Sequence, residues 1–421
     1  MQRSAETRSD GTAGALLIGL IVLAASVRLG WSLTRPSDDA SLQSLPDQVE
    51  YLSLARSVRA GEGLRFFDAR FRDFAYAYRP AGYPLLLAAL GGEVRLVRAA
   101  QALLDAASVL AAFLLARRWL GPRAALLPAA LVALSPYFIF FSALVLTETL
   151  FTSMLAWSMV LLTLDRNRPR RAAVGWWLGV MVLALSAHVR PSAVALPVLL
   201  GVVATLALPL PLVAPRKLRL HAGAAALLVT VLVLLPWAWR NHVVLGRWVW
   251  TSTNAGITLY DGLHPDATGA SDQSFVQRMP ELRTMNELDR DRYLRGLALE
   301  SAKRDPARVV RLAGVKLARM WSPVPLSDEY RGKRPYFLAG VAFAGPLFVL
   351  ALLGLLRGRM TVGAKALLLA PALYLSVVHL SSVGSLRYRV PADLPLTVLA
   401  GAGATALLPR RAGSELTRDT R

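Results

Sequence analysis

Residues 336–356 read YFLAGVAFAGPLFVLALLGLL, and this uncharged stretch decides the fold. At about 1.5 Å of rise per residue, a helix over this range is ~30 Å long, which matches the hydrocarbon core of a bilayer. Backbone polar groups in lipid must be satisfied internally, so only helices and closed barrels cross it. The run is continuously apolar and lacks the alternation of a barrel strand, so it predicts a transmembrane α-helix.

Runs of this kind recur along the chain and predict an all-α polytopic membrane protein with about ten spans and room for an eleventh. The predicted spans cover residues 12–32, 96–116, 124–144, 148–164, 172–188, 193–213, 222–239, 336–356, 363–381 and 390–408. The first is predicted to be an uncleaved signal-anchor. Its Ala24-Ala25-Ser26 segment also fits a cleavage region, which leaves removal of this span open.

The charge balance is strongly basic, with 48 Lys and Arg against 27 Asp and Glu, a net charge of +21. Such an excess is also typical of nucleic-acid-binding proteins. Most of the arginines here flank apolar spans, where membrane orientation explains them, so no nucleic-acid partner is predicted. The chain has no cysteine, which excludes disulfides, thiolate nucleophiles and cysteine metal sites.

Basic residues in short loops predict the orientation, because they stay on the cytoplasmic side. They are Arg117, Arg118, Arg123, Arg166, Arg168, Arg170, Arg171, Arg216, Lys217, Arg219, Arg357, Arg359, Lys365, Arg410 and Arg411. Counting crossings then puts two long polar stretches, 33–79 and 240–335, on the opposite, extracytoplasmic face.

This orientation predicts six regions in chain order. They are a cytoplasmic N-terminus with the first span (1–32), a first outer loop (33–95), a helix bundle (96–239), a long outer loop (240–335), C-terminal spans (336–408) and a cytoplasmic tail (409–421).

The outer loops are predicted to contain helices of their own. Residues 48–60 have the pattern of a short amphipathic helix that stops at Gly61-Glu62-Gly63, and 83–92 is apolar but too short to span. Residues 289–320 predict an amphipathic helix on the membrane surface, broken at Asp305-Pro306.

Two carboxylates lie near the predicted outer membrane boundary, one on a loop and one at a span end, where an ionisable group is costly unless paired or hydrated. Asp47 begins the amphipathic helix of the first outer loop, where it could act as a general base toward a substrate hydroxyl. Glu148 follows Thr147 at the start of a span. Both also fit a structural role, since an acidic residue in a first helical turn complements the helix dipole. The residues alone leave both roles open.

Arginines form the other candidate group, because guanidinium binds phosphate through two parallel hydrogen bonds and stays charged. Those at predicted outer span ends are Arg79, Arg190, Arg240, Arg387 and Arg389. Anchoring to lipid headgroups is the alternative role for each of them.

In order along the chain, these residues resemble the motifs of a known family. Asp47-Gln-Val-Glu-Tyr51 and Arg79-Pro-Ala-Gly-Tyr-Pro84 are similar to the first outer loop of the GT-C glycosyltransferases. The similar branch is glycosyltransferase family 39 and its relatives, which include protein mannosyltransferases and aminoarabinose lipid A transferases. Further matching segments are Thr147–Phe151, Arg240-Asn241, Thr253–Gly256, Tyr260–Pro265 and Arg387–Pro391.

The resemblance implies an inverting transfer of a sugar from a polyprenyl-phosphate donor to a glycan, lipid or protein acceptor. It implies a location in the cytoplasmic (inner) membrane, among membrane lipids, with the active site facing the periplasm or exterior. Asp47 matches the position of the catalytic base and Glu148 that of the second acidic residue. The positions implied for substrate binding are Tyr51, Arg79, Arg190, Arg240, Arg387, Tyr388 and Arg389.

Gln48 departs from the family pattern, because many relatives have an acidic residue directly after the aspartate. This weakens the case for a divalent metal, and no cofactor is predicted. The alternative function is a transporter or flippase for a lipid-linked glycan, which would show inverted repeats and helices broken at mid-membrane. A third interpretation is a non-catalytic scaffold with the same fold.

Overall fold

The computed structural model describes residues 2–164, 168–207, 216–327, 330 and 332–409. The end of the predicted span 193–213, most of the predicted tail 409–421 and Arg166, Arg410 and Arg411 lie outside these ranges.

The described chain is mainly helical. In chain order its helices are α1 (Gln2–Leu33), α2 (Asp39–Gln43), α3 (Pro46–Arg59), α4 (Gly82–Ala89), α5 (Val94–Ala124), α6 (Leu126–Leu134), α7 (Pro136–Ser142), α8 (Glu148–Leu162), α9 (Pro169–Ser186), α10 (Leu196–Ala207), α11 (Arg216–Leu245), α12 (Ala255–Leu263), α13 (Phe275–Arg278), α14 (Glu287–Arg304), α15 (Pro306–Met320), α16 (Arg334–Arg357), α17 (Val362–His379) and α18 (Val390–Leu407). Strands β1 (Phe66–Asp68) and β2 (Asp73–Ala75) pair antiparallel in a hairpin that the sequence did not predict.

Six helices in the described ranges are long and apolar enough to cross a membrane. They lie in α1, α5, α11, α16, α17 and α18. The protein is therefore an integral membrane protein, while the predicted total of about ten spans stays a prediction.

One predicted span, 124–144, is wrong as a continuous helix. It consists of α6 and α7, separated at Ser135. The ring of Pro136 disfavours helical backbone at the residue before it, and Ser135 is extended (φ −60°, ψ 118°). The Ser135 hydroxyl instead caps α7 by accepting from the N–H of Phe138 at 3.4 Å.

The helices pack around α18, which contacts α5, α6, α8, α16 and α17. A buried ion pair fixes α1 to this bundle. Arg28 of α1 pairs with Asp105 of α5 and donates to the carbonyls of Val132 (2.9 Å) and Ala133 (2.8 Å) at the end of α6. Inside a membrane such a charge is tolerated only when it is fully paired, as Arg28 is here.

The loop helices follow the sequence prediction closely. The predicted helix 48–60 is α3, and Gly61 and Gly63 behind it both have positive φ. The predicted break at Asp305-Pro306 separates α14 from α15, where Asp305 accepts from the N–H of Arg308 at 2.9 Å. The short apolar segment 83–92 forms α4.

The two long polar stretches pack against each other in one layer. The Glu287 carboxylate of the second stretch accepts from the backbone N–H groups of Tyr76 (2.8 Å) and Ala77 (3.0 Å) in the first. Thr253 adds a backbone hydrogen bond to the Ala77 carbonyl at 2.9 Å. This layer carries the candidate residues Asp47, Tyr51 and Arg79.

Candidate active site

Five separate elements bring charged side chains to one place where the polar layer meets the helix bundle. Asp47 lies in the first turn of α3, and Arg79 precedes α4. Glu148 begins α8, Arg190 lies in the turn after α9, and Arg387 lies in a 3₁₀ turn before α18. All five were singled out in the sequence.

Gly82 allows two of these elements to approach. Its N–H donates to the carbonyl of His188 at 2.7 Å, and a Cβ at this position would meet the same oxygen at 2.8 Å. Only glycine therefore lets the loop with Arg79 lie against the turn with Arg190.

The side chains form a continuous ion cluster. Arg387 bridges the two carboxylates, with Nη1 at 3.1 Å from Asp47 Oδ2 and Nε at 2.7 Å from Glu148 Oε1. Arg79 pairs with the other oxygen of Asp47. Arg190 Nη2 lies 3.6 Å from Glu148 Oε1. Both oxygens of Asp47 are therefore engaged by guanidinium groups.

The two carboxylates differ in their access to solvent. The Asp47 side chain is 26% exposed, whereas Glu148 is fully buried. Burial alone would raise the pKa of the Asp47 carboxyl, but Arg79 and Arg387 outweigh it and hold that pKa well below its usual range. Asp47 is therefore ionised at any physiological pH in this arrangement.

Glu148 keeps one acceptor free. Its Oε2 is buried and has no hydrogen-bond partner among the described residues. An unpaired buried carboxylate oxygen is costly, so this atom has an acceptor site that a water molecule or a ligand donor would fill.

Gln48, the departure from the family pattern, has a structural role and its hydrogen bonds lie outside the ion cluster. Its Oε1 accepts from the N–H of Val145 at 2.9 Å, and its Nε2 donates to the carbonyl of Leu42 at 3.4 Å. Gln48 thus fixes the backbone at Val145, three residues before Glu148.

The two predicted tyrosines lie beside the arginines. The ring of Tyr51 lies 5.2 Å below the guanidinium of Arg79. The ring of Tyr388 lies 5.4 Å from the guanidinium of Arg190 and 5.6 Å from that of Arg387. It also stacks on the ring of His379, with the ring centroids 4.2 Å apart. These rings orient the guanidinium groups by cation–π contact.

The structure does not bring Arg240 and Arg389 into the cluster. Arg240 donates to the carbonyls of Tyr76 (2.7 Å) and Leu64 (2.8 Å), so its guanidinium fastens the outer layer. Arg389 is fully buried with Asp393 at 3.1 Å and donates to the carbonyl of Ser322 at 2.8 Å.

Sequence reasoning missed Glu50 and Arg70. Glu50 lies one helical turn after Asp47 and accepts from Arg79 Nε at 2.7 Å and from Arg70 Nη2 at 3.0 Å. The spacing of three residues from Asp47 was the available signal, because residues i and i+3 share a helix face. Within the described ranges, no group of three or more His, Asp or Glu side chains is placed to hold a metal ion.

No protein-family model matches the chain. The chain is 31% identical over 214 residues to an undecaprenyl phosphate-alpha-4-amino-4-deoxy-L-arabinose arabinosyl transferase of Pseudomonas paraeruginosa. The alignment covers 47% of this chain and 36% of that relative. A Pseudomonas aeruginosa protein of the same name gives the same values, so the matched segment spans about a third of these curated relatives.

Among solved structures, the archaeal oligosaccharyltransferase AglB from Archaeoglobus fulgidus superposes with a TM-score of 0.55 at 14% identity. The match covers 92% of this chain and 50% of AglB, which that structure shows with an inhibitory peptide and a dolichol-phosphate. The apo form of the same enzyme gives a TM-score of 0.54. The superposition confirms the predicted polytopic helical fold, and the 31% identity confirms the resemblance to aminoarabinose transferases over the matched segment.

Proposed function

We propose that this chain is a membrane glycosyltransferase that moves a sugar from a polyprenyl-phosphate donor to an acceptor hydroxyl, amine or phosphate group, with inversion. The observation that carries this proposal is the ion cluster of Asp47, Glu148, Arg79, Arg190 and Arg387. It combines a carboxylate base with cations for a phosphate, the two functions that the reaction needs. The similarity to a transferase named for undecaprenyl phosphate supports this donor class.

Asp47 is the group best suited to act as the base. It is ionised, and it is more exposed than Glu148, so an acceptor can reach it. The acceptor oxygen attacks the anomeric carbon from the face opposite the phosphate while Asp47 takes the hydroxyl proton. The bond from the anomeric carbon to the phosphate oxygen breaks, and its electron pair stays on that oxygen.

The arginines stabilise the leaving group. The departing polyprenyl phosphate gains negative charge as the sugar leaves, and guanidinium groups held in place favour that charge. Phosphate is already a good leaving group, so no general acid is required. The products are the glycosylated acceptor and polyprenyl phosphate.

The resting contacts imply an order of events. Asp47 cannot accept a proton readily while Arg79 and Arg387 occupy both of its oxygens. A donor phosphate competes for the charge of the same guanidinium groups and weakens their hold on the carboxylate. Donor binding therefore frees Asp47 before the acceptor is deprotonated.

The same proposal assigns the membrane side. Arginines and lysines of the short loops lie opposite the polar layer in the predicted topology, which supports a site on the periplasmic or exterior face of the cytoplasmic membrane. The acceptor, a glycan, lipid or protein, would then approach through the layer formed by 33–95 and 240–335.

The test is sugar transfer by purified protein from a panel of radiolabelled polyprenyl-phosphate sugars. The parent is expected to transfer label from at least one donor. Arg387→Gln is expected to lower that rate by about 100-fold, because it removes a cation that stabilises the leaving phosphate. Glu148→Gln should lower the rate in the same direction, because Arg190 and Arg387 lose the carboxylate that positions them.

The control is Arg292→Gln, which changes an exposed arginine of α14 and should keep the parent rate. Parent-like transfer by both cluster variants would refute the assignment. Movement of the donor across proteoliposomes without any bond change would favour the transporter alternative.

A further inference from the structure

We infer that Glu50 is a positioning residue that aims Arg79 at the donor phosphate and ties the ion cluster to the long outer loop through Arg70. This inference rests on the proposed function and extends it to two residues that touch neither carboxylate of the proposed chemistry directly.

Arg79 is held by Glu50 on its inner side. Both Nε (2.7 Å) and Nη2 (2.6 Å) of Arg79 contact a single oxygen of Glu50, Oε2. The same Nη2 also pairs with Asp47. Because two nitrogens share one acceptor, the plane of the guanidinium is fixed. Nη1 donates no hydrogen bond to a described residue, which leaves it for a ligand.

Glu50 is itself fixed by Arg70. Its second oxygen, Oε1, accepts from Arg70 Nη2 at 3.0 Å. Arg70 in turn makes a two-point pair with Asp68, Nε to Oδ1 at 2.9 Å and Nη2 to Oδ2 at 2.7 Å. Asp68 ends strand β1, so the hairpin anchors this guanidinium.

The remaining nitrogen of Arg70 reaches the long outer loop. Nη1 donates to Gln273 Oε1 at 2.9 Å across 203 residues of sequence. Tyr78 lies between the two arginines, with its ring 5.3 Å from each guanidinium. The chain of contacts therefore runs from Asp47 through Arg79, Glu50 and Arg70 to Gln273.

Because Glu50 is buried, its ion pairs with Arg79 and Arg70 should contribute more than ion pairs on an exposed surface. Glu50 is only 9% exposed and has both oxygens occupied. Removing one member of such a buried set leaves the others without partners, whereas exposed pairs contribute little. Loss of the Glu50 charge would free Arg79 to pair with Asp47 alone and turn away from the phosphate.

The experiment is a double-mutant cycle on binding of undecaprenyl phosphate, measured with detergent-purified protein. Glu50→Gln and Arg79→Gln are each expected to weaken binding by about tenfold, because each removes a charged hydrogen-bonding group on which the phosphate contact depends. In the Arg79→Gln background, Glu50→Gln should then have almost no further effect, since Glu50 acts through Arg79.

Arg70→Gln provides a second variant if Glu50→Gln unfolds the protein. It should also weaken the binding of undecaprenyl phosphate. The double variant with Glu50→Gln should lose no more affinity than the weaker of the two single variants. Asp291→Asn is the matched control, since Asp291 is a mostly buried carboxylate of the same layer that pairs with Arg295 at 2.5 Å. It should leave the affinity unchanged in both backgrounds.

Two failures can be told apart. If the parent binds undecaprenyl phosphate but the losses of affinity in Glu50→Gln and Arg79→Gln multiply in the double variant, the positioning role is overturned and the proposed function stands. A parent that binds no polyprenyl phosphate overturns the proposed function, and this inference with it.

Discussion

A methyl group at Gly384 should disturb the position of Arg387 from outside the ion cluster. Gly384 lies three residues before Arg387, in the segment that joins α17 to the 3₁₀ turn. Its N–H donates to the Gly269 carbonyl at 2.8 Å, and its backbone lies directly against that of Lys316 in α15. Lys316 Nζ also donates to the Leu380 carbonyl at 2.9 Å, so α15 holds this segment at two points.

The size of the disturbance follows from the contacts. A Cβ at Gly384 would lie 2.5 Å from the Lys316 oxygen and 2.6 Å from its Cα, whereas ordinary contact begins at 3.4 Å. The segment must therefore move by roughly 0.9 Å, because the atoms it meets are backbone atoms of a helix. Overpacking of this kind costs about 1–3 kcal/mol of stability. A misplacement near 1 Å of a group that stabilises the transition state costs about 100-fold in rate.

The assay compares kcat/KM for sugar transfer and thermal unfolding in detergent for Gly384→Ala and Gly314→Ala. Gly314 lies on the exposed side of α15, and no atom of the described residues lies within 4 Å of an added Cβ. Gly314→Ala should keep the parent rate and gain up to ~1 kcal/mol of helix stability. Parent-like transfer by Gly384→Ala would refute the claim that α15 sets the position of Arg387.

Three further predictions concern single side chains. Arg28→Leu should cost ~3–5 kcal/mol of stability, because Asp105 is left buried and unpaired. Adding Asp105→Leu should restore much of the unfolding temperature, and an unfolding temperature of Arg28→Leu equal to that of the parent would contradict this. Burial lowers the pKa of Lys316 to about 8, so the unfolded chain binds more protons between that pH and 10.5. The stability of the parent relative to Lys316→Met should therefore rise over this interval by at most ~3 kcal/mol. A difference in free energy of unfolding between the two proteins that does not change with pH would contradict this. Arg240→Gln should lower the unfolding temperature but keep the affinity for undecaprenyl phosphate within about twofold, since Arg240 binds carbonyl groups. A large loss of affinity would show that Arg240 contacts the donor.

Hydropathy predicted the helices well where one apolar run is one helix. The run 336–356 lies within α16, and 390–408 corresponds to α18. Averaging over 124–144 concealed the break at Ser135, because a single proline barely changes the mean. The hairpin of β1 and β2 was missed since each strand has only three residues.

The ordered motifs predicted the centre of the candidate site and not its support. Asp47, Glu148, Arg79 and Arg387 lie in contact as a chain of ion pairs. Arginines at span ends look alike in sequence, yet Arg240 turns to backbone carbonyls instead. Whether a guanidinium meets a carboxylate or a carbonyl depends on packing between distant segments, which a single sequence does not display.

The most direct test of the central claim is sugar transfer by the parent and by Asp47→Asn, with Asp39→Asn, an exposed acid of α2, as the control. If Asp47 is the base, the parent and Asp39→Asn should release label from a polyprenyl-phosphate sugar at the same rate. Asp47→Asn should be slower by at least ~100-fold, since the amide cannot take the acceptor proton. Transfer by Asp47→Asn at the parent rate would show that Asp47 is not the base.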